Sequence, residues 1–344
     1  MIQLLLPSFF LSLIGFFNIF GIKQNLTLNQ IIYIIIGFLT FFVVKKIGRN
    51  FFSVNAQFFY WIFIFILLTT FSIGLEVRGS KRWIDLYFFN FQGSEIFKGF
   101  FILQLANFLV RDYRTVKPGK IFLLSLFYFL LPALIIFKQP DLGNASVYFF
   151  IYLMIIMFSD LPKKYVFYFC LVLLIALPLG WNFMHSYQQD RILSFLNPHL
   201  DQQGTAYNMT QAIITVGSGK FIGRGLGLGT QSRFFFLPEN HTDFAFSSLV
   251  EQFGFLGGLI VIILYLIMAA LLVKRLLSFY FLRDPVDKRN FLYLAGFLSY
   301  LIFQFLINIG MNLGLFPITG IALPFISYGG SSFVALMIGM ALLP

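Results

Sequence analysis

The chain has 344 residues, of which 59% are apolar, 20% are aromatic and only 11% are charged. Soluble domains carry roughly 45–50% apolar and about 25% charged residues, so this composition excludes an ordinary soluble enzyme and indicates a protein that crosses a membrane several times. The formal net charge of +11 is divided among short loops and is not gathered in one patch, which argues against a nucleic-acid partner and suits loops that face anionic lipid.

Long uncharged stretches recur along the chain, and a transmembrane helix needs about 20 consecutive, mostly apolar residues. The stretches are 1–22, 24–44, 51–75, 121–137, 142–159, 165–189, 252–273 and 290–344. The last is long enough for two spans, and 99–110 becomes another span if residues 94–98 form its outer end. Because lipid cannot satisfy backbone hydrogen bonds, each span is expected to be helical. The sequence therefore predicts an all-α integral membrane protein with about ten transmembrane helices in a single polytopic domain, 1–344.

Lysine and arginine collect in four of the predicted connections. The segments 45–50, 111–120, 160–164 and 274–289 hold 14 of the 24 Lys and Arg residues but 4 of the 13 acidic residues. Cytoplasmic loops carry the excess of positive charge, so these segments are predicted to lie inside, with both chain ends in the cytoplasm. The large connection 182–243, between the seventh and eighth spans, is then extracytoplasmic.

This large connection is far longer than the roughly 12–15 residues above which loops are usually functional or disordered. Its aromatic and aliphatic residues argue against disorder, and it is predicted to fold against the membrane surface. It contains "GSGKFIGRGLGLGTQS", 217–232, here called the glycine-rich segment, which lacks the spacing of a nucleotide-binding glycine loop. We interpret this segment as a flexible loop whose Lys220 and Arg224 are available to anionic headgroups.

Candidate chemistry concentrates on the extracytoplasmic side. Glu239, His241 and Asp243 stand at the lip of the hydrophobic run that forms the eighth span, where ionisable groups are costly and usually functional. The three histidines are far apart in sequence, and no metal-binding pattern is present. A carboxylate with cations and aromatic residues nearby suits chemistry on a phosphorylated, lipid-linked sugar. In such chemistry cations hold the diphosphate, aromatic rings stack on sugars and the carboxylate takes a proton.

Simpler structural roles remain open for several side chains. Trp83 suits an interfacial aromatic belt. Glu95 and Lys98 stand three residues apart, which is the spacing of an intrahelical salt bridge. Glu251 follows Asp243 by eight residues, or about 12 Å along a helix at 1.5 Å per residue. That separation is too large for the two carboxylates to share one proton, so Glu251 is interpreted as structural.

An ordered series of segments extends over most of the chain: "RWIDL", "FNFQGSEIFK", "KQPDLG", "DRILSFLNP", "FLPENHTDFAFS" and "NIGMNLGLFPITGIALPFISYGGSS". The series resembles the SEDS family of bacterial shape, elongation, division and sporulation proteins, which includes RodA, FtsW and SpoVE. The segments "FLPENHTDF" and "TGIALPFISYGG" are more similar to RodA than to FtsW. One departure is Gly93, where the family usually has proline, and a looser start of the fourth span is expected there.

The resemblance implies a peptidoglycan polymerase, an inverting glycosyltransferase that joins lipid II disaccharide units through β-1,4 bonds and releases undecaprenyl diphosphate. It implies a multi-pass protein of the bacterial cytoplasmic membrane with an extracytoplasmic active site, working in cell elongation and rod shape. Besides membrane lipid, the expected partners are lipid II, the undecaprenyl-diphosphate-linked glycan and a class B penicillin-binding protein that crosslinks the glycan. A lipid II flippase and a noncatalytic scaffold of the elongation or division complex are the alternatives.

The resemblance assigns the catalytic carboxylate to Asp243 and gives Trp83 a part in activity. Substrate-binding roles are predicted for Trp83, Arg82, Lys98, Lys138, Gln139, Asp141, Arg191, His241 and Thr242. Structural or loop roles are predicted for Glu95, Glu251, Ser327, Gly329 and Gly330. The candidates for the diphosphate, which the sequence does not rank, are Arg82, Lys98, Lys138 and Arg191. No residue spacing requires a metal or another cofactor, and a divalent cation, Mg²⁺ or Mn²⁺, remains open through Asp141 or another carboxylate.

Overall fold

The computed structural model describes residues 2–77, 80–85, 90–111, 117–184, 186–197, 205–234, 236–282 and 284–344. The chain begins with the helices α1 (Ile2–Ile22), α2 (Gln24–Ile47), α3 (Arg49–Val54) and α4 (Ala56–Ile73). A small antiparallel sheet follows, with strands β1 (Leu75–Val77), β2 (Ser80–Asp85) and β3 (Asn90–Phe91). Next come α5 (Gly93–Arg111), α6 (Pro118–Lys138), α7 (Leu142–Phe158) and α8 (Lys163–Gly180).

The large connection predicted at 182–243 contains several short helices. They are a 3₁₀ turn at Trp181–Phe183 and the helices α9 (Ser186–Leu196), α10 (Thr205–Ser218) and α11 (Thr230–Arg233). The chain then forms α12 (Ala245–Tyr280), α13 (Pro285–Asn312) and α14 (Gly330–Ala341). The connection is therefore folded, as its aromatic and aliphatic content predicted.

Seven of the described helices are long and apolar enough to cross a membrane: α1, α2, α4, α5, α6, α12 and α13. Two more, α7 and α14, are apolar but shorter, with 17 and 12 residues, and α8 occupies most of the predicted seventh span. Each of the ten predicted spans thus corresponds to one helix, and the prediction of an all-α membrane protein is confirmed. The fourth span begins at Gly93 itself.

Two helices, α5 and α13, form the centre of the bundle. In their most apolar windows 83% and 67% of the residues are buried, compared with 22% for α2. The outer helices turn apolar side chains such as Ile35 and Phe65 outward, which suits contact with lipid chains that are themselves apolar. Small residues allow close packing at the centre, where a Cβ on Gly99 of α5 would lie 3.4 Å from the Cα of Gly339 in α14.

Helix α12 is broken at Gly254, whose φ of 69° lies in the left-handed region that glycine adopts without strain. The glycine-rich segment satisfies backbone groups at this break, since the carbonyl of Lys220 accepts a hydrogen bond from Phe255 N at 2.9 Å. A Cβ on Gly223 would lie 2.2 Å from the carbonyl oxygen of Gln252, so the close approach requires glycine. The prediction of a flexible loop is therefore wrong, because the backbone of this segment is bonded to α12.

Candidate functional site

A cavity of about 460 Å³ lies among the ends of several helices. Its described lining comes from β2 and β3, the first turns of α5, α7 and α14, the turn before α12, the connection between α13 and α14, and one residue of α2. Small-molecule sites have volumes of roughly 300–1,000 Å³. The cavity is therefore large enough to hold the reacting part of a sugar substrate.

The cavity brings together residues that are distant in sequence. Its lining includes the predicted catalytic residue and five predicted binding residues, namely Asp243, Arg82, Trp83, Asp141, His241 and Thr242. Three residues that were predicted to be structural, Glu95, Gly329 and Gly330, line it as well. Trp83 therefore lies at the cavity wall. This position fits the predicted binding role, and a place in an interfacial aromatic belt is not needed to explain it.

Asp243 lies in a tight turn, 239–244, directly before α12. The Glu239 carbonyl accepts hydrogen bonds from the backbone N–H groups of Thr242 at 3.2 Å and Phe244 at 3.1 Å. Glu239 itself has a left-handed φ of 53°. Non-glycine residues adopt this conformation at a cost, and such strain clusters at functional sites. The turn leaves the Asp243 side chain half-buried at the cavity wall.

A glycine, Gly320, lies beside the Asp243 carboxylate. A Cβ on Gly320 would lie 3.7 Å from Asp243 Oδ2, and the φ of 72° at Gly320 disfavours any side chain there. His241 Nδ1 lies 3.3 Å from Asn240 Oδ1, and the imidazole centroid lies 5.8 Å from that of the Tyr328 ring. These contacts orient the imidazole at the cavity wall.

The turn is also tied to the connection that precedes α14. Thr242 Oγ1 donates to Glu239 Oε2 at 2.9 Å, and the Thr242 carbonyl accepts from Ser327 Oγ at 2.6 Å. The same serine oxygen accepts from Leu323 N at 2.9 Å. Ser327 thus joins two parts of the cavity wall, which fits the loop role predicted for it.

Arg82 supplies the permanent positive charge of the described cavity lining. Its guanidinium donates to the Pro140 carbonyl and lies 3.6 Å from an Asp141 carboxylate oxygen. Asp141 caps α7 by accepting from the backbone and side-chain nitrogens of Asn144 at 3.1 and 2.9 Å, and it accepts from Gln92 Nε2 at 3.3 Å. Asp141 is therefore occupied in holding the wall together, while 20% of the Arg82 side chain stays exposed.

Lys98 does not lie where the substrate-binding prediction requires. Its ammonium is completely buried, 2.6 Å from Glu95 Oε1 and 5.1 Å from the centroid of the Tyr300 ring. Glu95, one helical turn earlier, lines the cavity, whereas Lys98 is not part of the described lining. The i, i+3 spacing on α5 directs the two side chains toward each other. The structure thus contains the salt bridge that was the simpler sequence interpretation.

Three further predicted binding residues lie outside the cavity. Lys138 is exposed at the end of α6. Gln139 is buried and donates from Nε2 to the Leu67 carbonyl at 2.8 Å. Arg191 donates from Nη1 to the Ile318 carbonyl at 3.3 Å. The sequence could not exclude these residues, because sequence proximity to the "KQPDLG" and "DRILSFLNP" segments does not determine which way a side chain turns.

Glu251 is completely buried in the first part of α12. Its carboxylate accepts hydrogen bonds from Gln231 N at 2.8 Å, from Ser232 N at 3.0 Å, from Ser232 Oγ at 2.6 Å and from Ser218 Oγ at 3.3 Å. These donors belong to α10 and α11. Glu251 therefore fastens the large connection to α12, an arrangement that fits its predicted structural role.

Two tyrosines of the cavity wall were not predicted from the sequence. Tyr33 and Tyr328 both line the cavity, with ring centroids 5.7 Å apart. Tyr33 belongs to an apolar stretch of α2, so nothing near it in sequence distinguishes it from a lipid-facing aromatic residue. Tyr328 stands in "SYGGSS", and this polar run within an apolar part of the chain was the available signal.

The cavity lining does not form a ready-made metal site. The described residues contain no group of three or more His, Cys, Asp or Glu side chains arranged to hold a metal ion. Asp141, one of the carboxylates considered as a ligand, is already bonded to Asn144, Gln92 and Arg82. Mg²⁺ is usually held by one or two carboxylates together with substrate phosphates and waters, so binding of a divalent cation at this cavity stays a prediction.

Comparisons with known proteins agree on one family. The family model FtsW/RodA/SpoVE, described as cell cycle protein, matches residues 4–344. The chain is 35% identical to peptidoglycan glycosyltransferase MrdB of Helicobacter pylori over 97% of its own length and 87% of the relative's. It is 34% identical to MrdB of Escherichia coli K12, over 90% and 82% of the two chains.

Solved structures agree with the sequence comparisons. The fold is similar to a chain in a study of the structural coordination of polymerization and crosslinking by a peptidoglycan synthase complex, with a TM-score of 0.81, 27% identity and coverage of 98% and 95% of the two chains. It is also similar to the rod shape determining protein RodA of Thermus thermophilus, with a TM-score of 0.73, 26% identity and coverage of 99% and 94%.

Proposed function

The chain belongs to the FtsW/RodA/SpoVE family, and from that membership we infer that it is a peptidoglycan glycosyltransferase that joins the disaccharide units of lipid II. Its relatives in Helicobacter pylori and Escherichia coli are named for this activity. The observation that carries the proposal for the site is the half-buried Asp243 carboxylate in a cavity that also contains Arg82. A proton acceptor and a diphosphate-binding cation are the two groups that this reaction needs from a protein.

In the proposed reaction one sugar supplies a hydroxyl, and another carries the diphosphate on its anomeric carbon. Asp243 takes the hydroxyl proton as the hydroxyl oxygen forms a bond to that carbon. The bond from the carbon to the diphosphate oxygen breaks, and undecaprenyl diphosphate leaves with the electron pair. Attack from the side opposite the leaving group converts the α-linked diphosphate into a β-1,4 glycoside. General base catalysis of this kind contributes roughly 10²- to 10⁴-fold.

The other cavity residues are assigned to binding. Arg82 is assigned to the diphosphate, because a guanidinium forms strong and directional hydrogen bonds to phosphate oxygens. Trp83 and Tyr328 offer aromatic surfaces to the sugars, which is the usual composition of a ligand site with few polar anchors. His241 and Thr242, on either side of the predicted base in the same turn, are assigned to orienting the attacking hydroxyl.

We place the proposed active site on the outer face of the bacterial cytoplasmic membrane, because the connections rich in Lys and Arg lie at the other ends of the spans. A new glycan must be crosslinked, and a class B penicillin-binding protein is the proposed partner. The similar chain from a peptidoglycan synthase complex supports this assignment. The MrdB and RodA relatives favour a role in elongation and rod shape, and the similarity to a probable FtsW of Hydrogenovibrio crunogenus, at 32% identity, leaves division as the alternative.

The test is polymerisation of lipid II by the purified protein in detergent, where there are no compartments between which a flippase could move the lipid. The expected product is a β-1,4-linked glycan that a muramidase digests. The reaction is run alone and with a class B penicillin-binding protein added. If folded protein produces no polymer under either condition, the flippase or scaffold alternative replaces the glycosyltransferase.

A further inference from the structure

We propose that Asn308 and Asn312 of α13 are positioning residues that hold the backbone of Asp243, and through it the catalytic carboxylate, at the cavity wall. The proposal rests on the proposed function, since it concerns the residue assigned as the base. Neither asparagine lines the cavity, and both are completely buried. Their effect on the reaction would therefore pass through Asp243 and not through contact with the substrate.

The two amides converge on one carbonyl oxygen. Asn308 Nδ2 donates to Asp243 O at 3.0 Å, and Asn312 Nδ2 donates to the same oxygen at 3.1 Å. They stand four residues apart on α13, so their side chains lie on one face of the helix. Burying a side-chain amide costs free energy unless the amide is hydrogen-bonded. The two asparagine amides therefore favour a backbone conformation in which the Asp243 carbonyl can accept from both.

Asn308 also connects the turn to the opposite part of the wall. Its Nδ2 donates to the Ile321 carbonyl at 2.7 Å, and Ile321 follows Gly320, the residue that lies beside the Asp243 carboxylate. One side chain thus sets the separation between the turn that carries the proposed base and the glycine that faces it. A change at Asn308 would release both at once.

Asn312 caps α12 from another helix. The residue before α12 is Phe244, which has no side-chain group to cap the helix. The N–H of Ser247, in the first turn, instead donates to Asn312 Oδ1 at 2.9 Å, and the Ser247 hydroxyl donates to the same oxygen at 2.6 Å. The first turn of a helix leaves backbone N–H groups without partners. Asn312 therefore fixes both the start of α12 and the residue two positions before it.

Four successive carbonyls of this turn are bound from outside it. Asn240 O accepts from Ser248 Oγ at 2.7 Å, and His241 O accepts from Tyr328 N at 2.8 Å. Thr242 O is bound by Ser327 and Asp243 O by the two asparagines. Hydrogen bonds to four successive carbonyl oxygens restrict the motion of the backbone in this turn. Because a misplacement of about 1 Å can cost roughly 10²-fold in rate, this rigidity is what a general base requires.

The test compares Asn308→Leu and Asn312→Ala with the unchanged protein in lipid II polymerisation, at equal concentrations of folded protein. We expect the turnover number to fall by about 10- to 100-fold, with KM changed less than about threefold, because the asparagines do not contact substrate. Asn290→Leu is the matched control. Asn290 lies on the same helix at its other end and accepts a hydrogen bond from Arg49, so its loss should affect stability and not turnover.

A second comparison separates positioning from a general structural role. In an Asp243→Asn background there is no base left to position, so adding Asn308→Leu should lower the residual turnover less than about twofold, as expected of residues that act as a unit. If the variants Asn308→Leu and Asn312→Ala do not fold, Asn308→Gln and Asn312→Gln replace them. Glutamine keeps the amide but displaces it by one methylene group, so turnover should still fall.

Three outcomes are decisive. Unchanged turnover in a folded variant at Asn308 or Asn312 overturns the positioning role, and so does a full additional loss in the Asp243→Asn background. Absence of polymerisation by the unchanged protein contradicts the proposed function and not this inference in particular.

Discussion

The ammonium of Lys98 lies 2.6 Å from Glu95 Oε1, with the Lys98 side chain completely buried and Glu95 at the cavity wall. A lysine that sequence position suggested for the diphosphate is thus committed to a carboxylate inside the protein. Removing one member of a buried ion pair leaves the other charge uncompensated, which is far more damaging than removing both. We therefore assign the Glu95–Lys98 ion pair a role in stabilising the structure around the cavity.

We predict that Lys98→Met lowers the free energy of unfolding by roughly 3–5 kcal/mol, because Glu95 keeps a buried charge without its partner. Denaturant unfolding in detergent measures the change. The double variant Glu95→Gln/Lys98→Met should recover a large part of the loss. Lys138→Met, at an exposed position, should change stability by less than about 0.5 kcal/mol. Equal stability of the two single variants would contradict the structural role of the pair.

Asp243→Asn should lower lipid II polymerisation by about 10² or more, since an amide keeps the size of the side chain but cannot take the proton. The variant should still insert into the membrane and bind the proposed penicillin-binding partner. Glu251→Gln is the matched control on α12. Glu251 accepts four hydrogen bonds, so Gln should lower the thermal midpoint while turnover per folded molecule is retained. Near-normal synthesis by Asp243→Asn would assign the base elsewhere.

Arg82→Ala should reduce polymerisation at subsaturating lipid II by about 10- to 100-fold, because charge-assisted contacts contribute roughly 1.5–3 kcal/mol. The measurement is kcat/KM with a check of folding, since Arg82 also bonds to the Pro140 carbonyl. Lys81→Ala supplies the comparison. It is the preceding residue on β2, and it is not part of the described cavity lining. Equal losses in both variants would remove Arg82 from the diphosphate site.

Gly223→Ala should destabilise the protein by roughly 1–3 kcal/mol. Gly223 has a φ of 92°, and its added Cβ would lie 2.2 Å from the carbonyl oxygen of Gln252. Gly217→Ala, in the same segment, meets open space at a helical position, and should be neutral or slightly stabilising because alanine is the better helix former. Thermal unfolding of the two variants compares them directly. A harmless Gly223→Ala would mean that the segment does not dock on α12.

A reporter enzyme fused after Asn208 should be exported, and one fused after Asp287 should remain in the cytoplasm. The physical reason is the concentration of Lys and Arg in the connections predicted to be cytoplasmic. Reporter activity in whole cells measures both fusions. The reverse pattern would put the proposed active site on the inner side and contradict its assignment to lipid II polymerisation outside.

The sequence by itself determined the membrane class and the positions of the spans. Hydrophobicity acts over a local window of about 20 residues, so a stretch such as 51–75 predicts its helix without knowledge of the rest of the chain. The spacing of Glu95 and Lys98 is equally local, and it predicted their salt bridge as one of two interpretations. Family resemblance, carried by short ordered motifs, singled out Asp243 as the residue of interest.

Only the tertiary structure decided which polar side chains share the cavity. Asp141 and Gln139 are two residues apart, yet one lines the cavity and the other donates into the backbone of α4. Gln139 ends α6, whereas Asp141 caps the start of α7. Asn312 and Asp243 are 69 residues apart, and no local window contains both. Packing of α13 against α12 creates their contact, so the support of the proposed base depends on long-range geometry that sequence periodicity does not encode.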